Sequence, residues 1–195
     1  MSTIIDARNL ECPKPVIMTK KAFDTAQDGV VTTLVDNEIA VKNLEKLAKS
    51  NGFESEVEEF ENEYKVHIKI EAGAVVSKTQ VNELSDEVVA IGTNIMGAGS
   101  EELGTVLMKG FLYTLTETKP YPKSVLFYNS GVKLTVEGSD SIEDLEKLEA
   151  AGVEIISCGT CLNYYEIADK LKVGEVSNMY TIVETLKSAG NTIRI

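Results

Sequence analysis

Apolar and polar residues alternate strictly in two neighbouring stretches of the chain. Phe53, Ser55 and Val57 interleave with Glu54, Glu56 and Glu58, and Tyr64, Val66, Ile68 and Ile70 interleave with Lys65, His67 and Lys69. A period of two is that of a strand with one covered face. A hairpin turning at Glu61-Asn62 sets Glu54 opposite Lys69, Glu56 opposite His67 and Glu58 opposite Lys65, so opposite charges pair across one face. The apolar face is then left for helices, and two precede the hairpin. One runs over residues 16–26, after a short strand at 3–6, and ends near Asp28-Gly29. The other is capped by Asp36 or Asn37, puts Ala40, Leu44, Leu47 and Ala48 on one face and stops at Asn51-Gly52. Between them, residues 30–35 form a strand rich in β-branched side chains. The pattern predicts a βαβαββ two-layer sandwich over residues 1–72. His67, the only histidine, falls on its open face with no positioned partner and reads as a surface residue.

The periodicity fails over residues 73–86, which reads as a linker, with a short helical turn at 81–84. A different pattern follows over residues 87–195: short apolar runs alternating with helical ones. Residues 87–93, 124–128 and 153–157 suit buried parallel strands. A loop with Gly97-Ala98-Gly99 leads to a helix capped by Ser100 and broken at Lys119-Pro120-Tyr121-Pro122. Ser141-x-x-Asp144 has the form of a capping box for a helix ending at Gly152. A helix from the Cys158-Gly159-Thr160-Cys161 turn to Leu171, a strand near Glu175-Val176, a helix over 178–189 and a strand at 192–195 complete the alternation. Such alternation predicts a three-layer α/β/α parallel sheet. The fold class is thus α/β in two unlike halves.

Composition narrows the setting. With 43% hydrophobic and 26% charged residues among 195, the chain is ordinary for a globular protein. No apolar run approaches a membrane span and the N-terminus lacks a signal pattern, so a cytoplasmic protein is expected. Three cysteines make no disulfide framework and point to reduced, reactive thiols. A net charge of −12 opposes an extensive nucleic-acid surface.

The chemistry gathers at those thiols. Cys12 lies in Asn9-Leu10-Glu11-Cys12-Pro13-Lys14-Pro15, where a strand gives way to a helix. Pro13 and Pro15 suit a first helical turn, whose N–H groups lack partners. Cys12 is thereby set at the positive end of the helix dipole, with Arg8, Lys14, Lys20 and Lys21 outnumbering Glu11 nearby; both favour the nucleophilic thiolate. The bland alternative is a buried thiol acting as a small hydrophobe. Cys158 and Cys161 form a C-x-x-C at the end of a parallel strand, where α/β sheets gather ligands and chemistry. A helix N-terminus there lowers a thiol pKa, and the spacing lets one thiol resolve the other. The alternatives there are inert core thiols or half of a zinc site. Zinc lacks its other ligands, since only Cys12 and His67 remain, so no metal and no cofactor is expected. Gly97, Gly99 and Asn129 form a candidate anion cradle; no G-x-G-x-x-G and no Walker lysine accompanies them, which argues against a nucleotide.

Residues 5–15, Ile5-Asp6-Ala7-Arg8-Asn9-Leu10-Glu11-Cys12-Pro13-Lys14-Pro15, resemble the signature of the TusA/SirA sulfur-carrier family, with Asn9 where Gly is usual and Ile5 where Leu is usual. The resemblance covers about the first seventy residues. It implies a persulfide, or a selenium equivalent, carried on Cys12, with Arg8, Pro13, Lys14 and Pro15 in support. Residues 87–195 resemble the DsrE family of sulfur-relay proteins, through the Gly-containing loop after the first strand, Phe127-Tyr128-Asn129-Ser130-Gly131-Val132 and Gly152-Val153-Glu154-Ile155-Ile156-Ser157-Cys158. That implies Cys158 as the sulfur-accepting thiol, Cys161 being an addition to the general pattern. A TusA-like half followed by a DsrE-like half resembles the YedF-type family, linked with selenium metabolism. The expected function is a chalcogen relay by a sulfurtransferase-like protein. Its partners would be a cysteine desulfurase or other donor and an acceptor protein, with homo-oligomers forming through the DsrE-like half. The competing readings are a thiol–disulfide oxidoreductase using Cys158 and Cys161, and a non-catalytic thiol sensor or adaptor.

Overall fold

The computed structural model describes residues 2–26, 29–61, 63–70 and 84–195. The chain divides into two compact units, residues 1–79 and 80–195, and each is described by itself.

In the first unit the elements run β1 (Ser2–Asp6), α1 (Lys14–Thr25), β2 (Gly29–Val35), α2 (Glu38–Ser50), β3 (Glu54–Phe60) and β4 (Glu63–Ile70). The four strands form one mixed sheet in the order β1-β2-β4-β3, with β1 parallel to β2 and the other pairs antiparallel. The hairpin has the register that the alternation dictates: Glu54 faces Lys69, Glu56 faces His67 and Glu58 faces Lys65. Of its turn, Glu61 takes a left-handed φ of 46°, while Asn62 lies outside the described residues. Val66, Ile68 and Ile70 of β4 are buried with Val31 and Val35 of β2 against Phe23 and Leu44 of the helices. Phe23 and Phe53 meet edge to face, ring centroids 5.1 Å apart. Asn37 caps α2, its side chain accepting from the Ala40 N–H at 2.8 Å, and Gly52 ends the helix with φ 75°. Buried Thr19 and Thr33 share a hydrogen bond of 2.8 Å that ties α1 to β2.

His67 departs from its expected isolation. Its Nδ1 lies 2.9 Å from Thr32 Oγ1 and its Nε2 3.5 Å from a Glu58 carboxylate oxygen. The reason is the sheet itself: β2 places Thr32 directly across from His67, and Glu58 is the diagonal neighbour on β3.

The second unit comprises β5 (Glu87–Ile91), α3 (Glu101–Glu117), β6 (Ser124–Phe127), a 3-10 segment (Asn129–Thr135), α4 (Ile142–Ala150), β7 (Glu154–Cys158), α5 (Gly159–Tyr164), a 3-10 turn (Ala168–Lys170), β8 (Glu175–Ser177), α6 (Met179–Ser188) and β9 (Asn191–Arg194). Its five strands are all parallel, in the order β8-β7-β6-β5-β9. The chain steps one way from β5 to β8 and then crosses back to β9. Right-handed crossovers therefore put α3, α4 and α5 on one face and α6 on the other. Met108 and Leu112 of α3, Leu145 and Leu148 of α4, Leu162 of α5 and Ile182 of α6 are buried against β5, β6 and β7.

Two local expectations meet a different outcome, and a third falls largely outside the described residues. Ser141 does not close a capping box: it adopts right-handed helical angles and its side chain accepts no cap hydrogen bond, whereas capping needs an extended residue. The helix after Cys158 stops at Tyr164, where Glu166 turns left-handed with φ 56°. Most of the linker expected over 73–86, and of the turn at 81–84, lies outside the described residues. Leu84 bridges to Tyr121 and Ser85 donates to the Tyr121 carbonyl, so 84–86 adjoin the sheet of the second unit.

Candidate functional site

Because β1 and β2 are parallel, their carboxyl ends lie at one edge of the first unit, and α1 and α2 both begin there. Cys12 is exposed on the connection from β1 to α1, one residue before the N-cap Pro13. That connection is held at its start. Asn9 has a left-handed φ of 59°, which Asn tolerates better than most residues, and its N–H donates to Asp36 Oδ2 at 2.6 Å. This N–H, with the Asn37 side chain, holds the Asp36 carboxyl below its usual range. Cys12 then sits on a groove of about 390 Å³ whose walls include Leu10, Pro15, Val16, Ile39, Ala40 and Asn43.

Two of the cations counted beside Cys12 in the sequence, Arg8 and Lys20, are engaged with other residues. Arg8 donates from Nε and a terminal nitrogen to Asp6 at 2.9 and 2.7 Å, and from the other to Glu63 at 2.9 and 3.0 Å. The hydrogen bonds with Arg8 take the Asp6 carboxyl down to about 2. Lys20 reaches Asn51 Oδ1 at 3.3 Å, at the far end of α2. Lys14 is the exposed first residue of α1 and its N–H donates to the Glu11 carbonyl at 3.0 Å. Pro13 and Pro15 have no N–H to offer, so the helix start points few donors at the sulfur. The donor facing Cys12 Sγ is instead the side-chain amide of Asn43, at 4.0 Å. Asn43 was not legible as a site residue; its polar side chain in the groove-facing turn of α2 was the available signal.

In the second unit, β6 and β7 are neighbours, so the residues just past their ends meet. Cys158, last in β7, is 1% exposed and belongs to the core cluster. Cys161, in the first turn of α5, is half-buried, three residues after Cys158, which is the N-cap of the same helix. Asn129, at φ 51°, donates its N–H to Cys161 Sγ at 3.1 Å. Asn129 is itself fixed by the Tyr165 hydroxyl, which donates to Asn129 Oδ1 at 3.1 Å, and Lys133 Nζ lies over the Tyr165 ring at 4.5 Å. Burial pushes the Cys161 thiol up, against the lowering pull of the Asn129 N–H, and the contact with Cys158 adds to the rise. The depressed thiol expected at this helix start is therefore not what Cys161 shows.

The residues of the candidate anion cradle lie in different surroundings. Gly97 and Gly99 lie in an open loop where an added Cβ would meet nothing within 4 Å. Asn129, however, directs its N–H at Cys161. Among the described residues no group of three or more His, Cys, Asp or Glu is placed to hold a metal ion, and no helix is long and apolar enough to cross a membrane.

Comparison with known proteins bears mainly on the first unit. Residues 3–70 match the family model described as sulfurtransferase TusA. The structure of a SirA-like protein from Desulfitobacterium hafniense is 43% identical, with 35% of this chain and 96% of that one covered, at a TM-score of 0.34. The ychN protein from E. coli shares 18% identity over 56% of this chain and 99% of its own, at a TM-score of 0.44. A protein of unknown function from Methanobacterium thermoautotrophicum shares 21% over 56% of this chain and 97% of its own, at 0.42. Among curated proteins nothing matches the chain. Residues 3–70, which carry the exposed Cys12 and its groove, form a TusA/SirA-like sulfurtransferase domain.

Proposed function

We propose that the protein is a relay for sulfur, or for selenium, that carries a persulfide or perselenide on Cys12 and passes it to or from the Cys158/Cys161 site. The observation that carries this reading is the exposed thiol on an apolar groove within a TusA-family unit. A carrier thiol must be reached by the active site of a donor and then by that of an acceptor, and both need it at the surface. Transfer is thiolate attack on the outer sulfur of a donor persulfide, with the donor thiolate as leaving group. The partners are a cysteine desulfurase or other chalcogen donor and an acceptor protein, in a reducing, cytoplasmic setting. The order of a TusA-like and a DsrE-like half supports a YedF-type protein, and through it the selenium reading.

Incubation with a cysteine desulfurase and cysteine tests the reading by intact mass. The expected result is a gain of one sulfur atom, mapped to Cys12 and absent in Cys12→Ser. A chain that never gains sulfur on Cys12 would overturn it. The placing of Cys158 and Cys161 at the N-cap and first turn of one helix supports a second reading, thiol–disulfide oxidoreduction, and catalytic reduction of a disulfide substrate without sulfur uptake would establish it instead.

A further inference from the structure

We infer that Cys161, and not Cys158, is the thiol of the second unit that takes up sulfur, and that Cys158 behind it is the resolving thiol that expels the sulfur as sulfide. The inference rests on the relay reading above and, within its second site, reverses the accepting role that the DsrE resemblance implies for Cys158.

Access divides the two thiols. A persulfide donor must bring its outer sulfur into line with the attacking thiolate, which needs open space on one side of the nucleophile. Cys158 closes β7 in the centre of the sheet and is 1% exposed, packed with Leu162 and other residues of the core. Gly159, next to it, is so close to β8 that an added Cβ would stand 2.9 Å from Val176 Cγ1. Cys161 is half-buried, against exposed Asn129.

The Asn129 N–H gives the second argument. Its 3.1 Å contact is made to Cys161 Sγ, and its direction is fixed by the left-handed Asn129 backbone and the Tyr165 hydroxyl on Asn129 Oδ1. A donor at that sulfur favours the thiolate as the site loads, against the burial that opposes it. Once Sγ has become the inner sulfur of a persulfide, the same donor draws electron density from it and makes it the better target for a second thiolate. Cys158, N-cap of the helix whose first turn carries Cys161, is the neighbouring thiol.

The steps balance without an outside oxidant. The Cys161 thiolate attacks the outer sulfur of R–S–SH; an S–S bond forms to Cys161, the donor S–S bond breaks, and R–S⁻ leaves. The Cys158 thiolate then attacks Cys161 Sγ. The Cys158–Cys161 disulfide forms, the bond to the outer sulfur breaks, and that sulfur departs as HS⁻, the Cys158 proton being taken up by solvent or by the leaving sulfide. Two electrons pass from the thiol pair to the sulfane sulfur. A dithiol reductant returns the pair to its starting state.

The test uses the full chain, with Cys158→Ser, Cys161→Ser and Cys161→Ala, each checked for native thermal unfolding. Glutathione persulfide is the probe. Blocked persulfides are mapped by peptide mass spectrometry, Cys12 being read separately from the Cys158/Cys161 peptide, and released sulfide is followed in parallel. Cys158→Ser is expected to load on Cys161 and to hold the added sulfur roughly tenfold longer than the parent. Both Cys161 variants are expected to lose loading of that peptide by about tenfold or more, and to leave Cys158 unmodified. Persulfide on Cys158 in the Cys161 variants at the parent rate would overturn the assignment. So would equal lifetimes with and without Cys158, or a folded parent whose second unit never loads. Failure of Cys12 alone to load would count against the relay reading of Cys12 and leave the assignment of Cys161 standing.

Discussion

Gly131→Ala should destabilise the second unit severely while leaving the first untouched. Gly131 lies two residues after Asn129 in the segment that follows β6, and a Cβ there would stand 2.3 Å from the Ile91 carbonyl oxygen and 3.0 Å from its carbon. That oxygen already accepts from the Tyr128 N–H at 3.1 Å. Both sides of the collision are backbone, and Ile91 ends β5, bonded to β6, so no flexible side chain can yield. Merely reaching 3.0 Å, below which Cβ contacts essentially do not occur, requires a shift of 0.7 Å (3.0 less 2.3). Overpacking costs roughly 1–3 kcal/mol, and a rigid backbone obstacle places this site at about 3 kcal/mol. For a unit of this size the loss lowers the melting temperature by roughly 10 °C. Tyrosine fluorescence isolates the transition, because Tyr113, Tyr121, Tyr128, Tyr164, Tyr165 and Tyr180 all lie in the second unit and Tyr64 alone in the first; the chain has no Trp. Gly99→Ala is the control, since its Cβ would meet nothing within 4 Å. A Gly131→Ala protein that melts within 2 °C of its parent, about the scatter of such a measurement against the roughly 10 °C expected, would refute the reasoning.

Two further outcomes concern the first unit. Asp6 is depressed to about 2 from 3.8, and Asp36 is also lowered; a group lowered in the folded state contributes stability present above its unfolded value and lost as the pH falls through the folded one. The Arg8–Asp6 pair should therefore persist at pH 4 and fail only as the pH falls toward about 2, and the Asp36–Asn9 contact should be lost below the ordinary aspartate range, read by titration of the Asn9 amide resonance; a midpoint at the ordinary aspartate value would contradict this. Asn43→Ala should slow sulfur loading of Cys12 severalfold with no change in melting temperature, by removing the amide that faces the sulfur; an unchanged loading rate would exclude that role.

Elements whose specification is local could be read from the sequence. Alternation fixed the β3–β4 register residue by residue, because a slip of one would have turned Val66, Ile68 and Ile70 outward. Asn37 and Ser100 capped their helices as expected because each is extended and bonds its own third residue on. Ser141 has the same chemistry but helical angles, in a turn whose Ile142 N–H bonds the Ser139 carbonyl, and there the motif failed. Cys12 was legible because prolines and strand end define its setting within a few residues. What surrounds it was not: Arg8 is held by Glu63, fifty-five residues away, and Asn43 reaches the sulfur from α2, thirty-one residues away. The second site shows the same division. Spacing brought Cys158 and Cys161 together, but which thiol is open depends on β7 being flanked by β6 and β8. The Asn129 donor arrives across thirty-two residues only because β6 and β7 pair in parallel and end side by side. Short-range backbone preferences and hydrophobic periodicity are written in consecutive residues, whereas burial and the partner of a polar group depend on strand order, which no local pattern encodes.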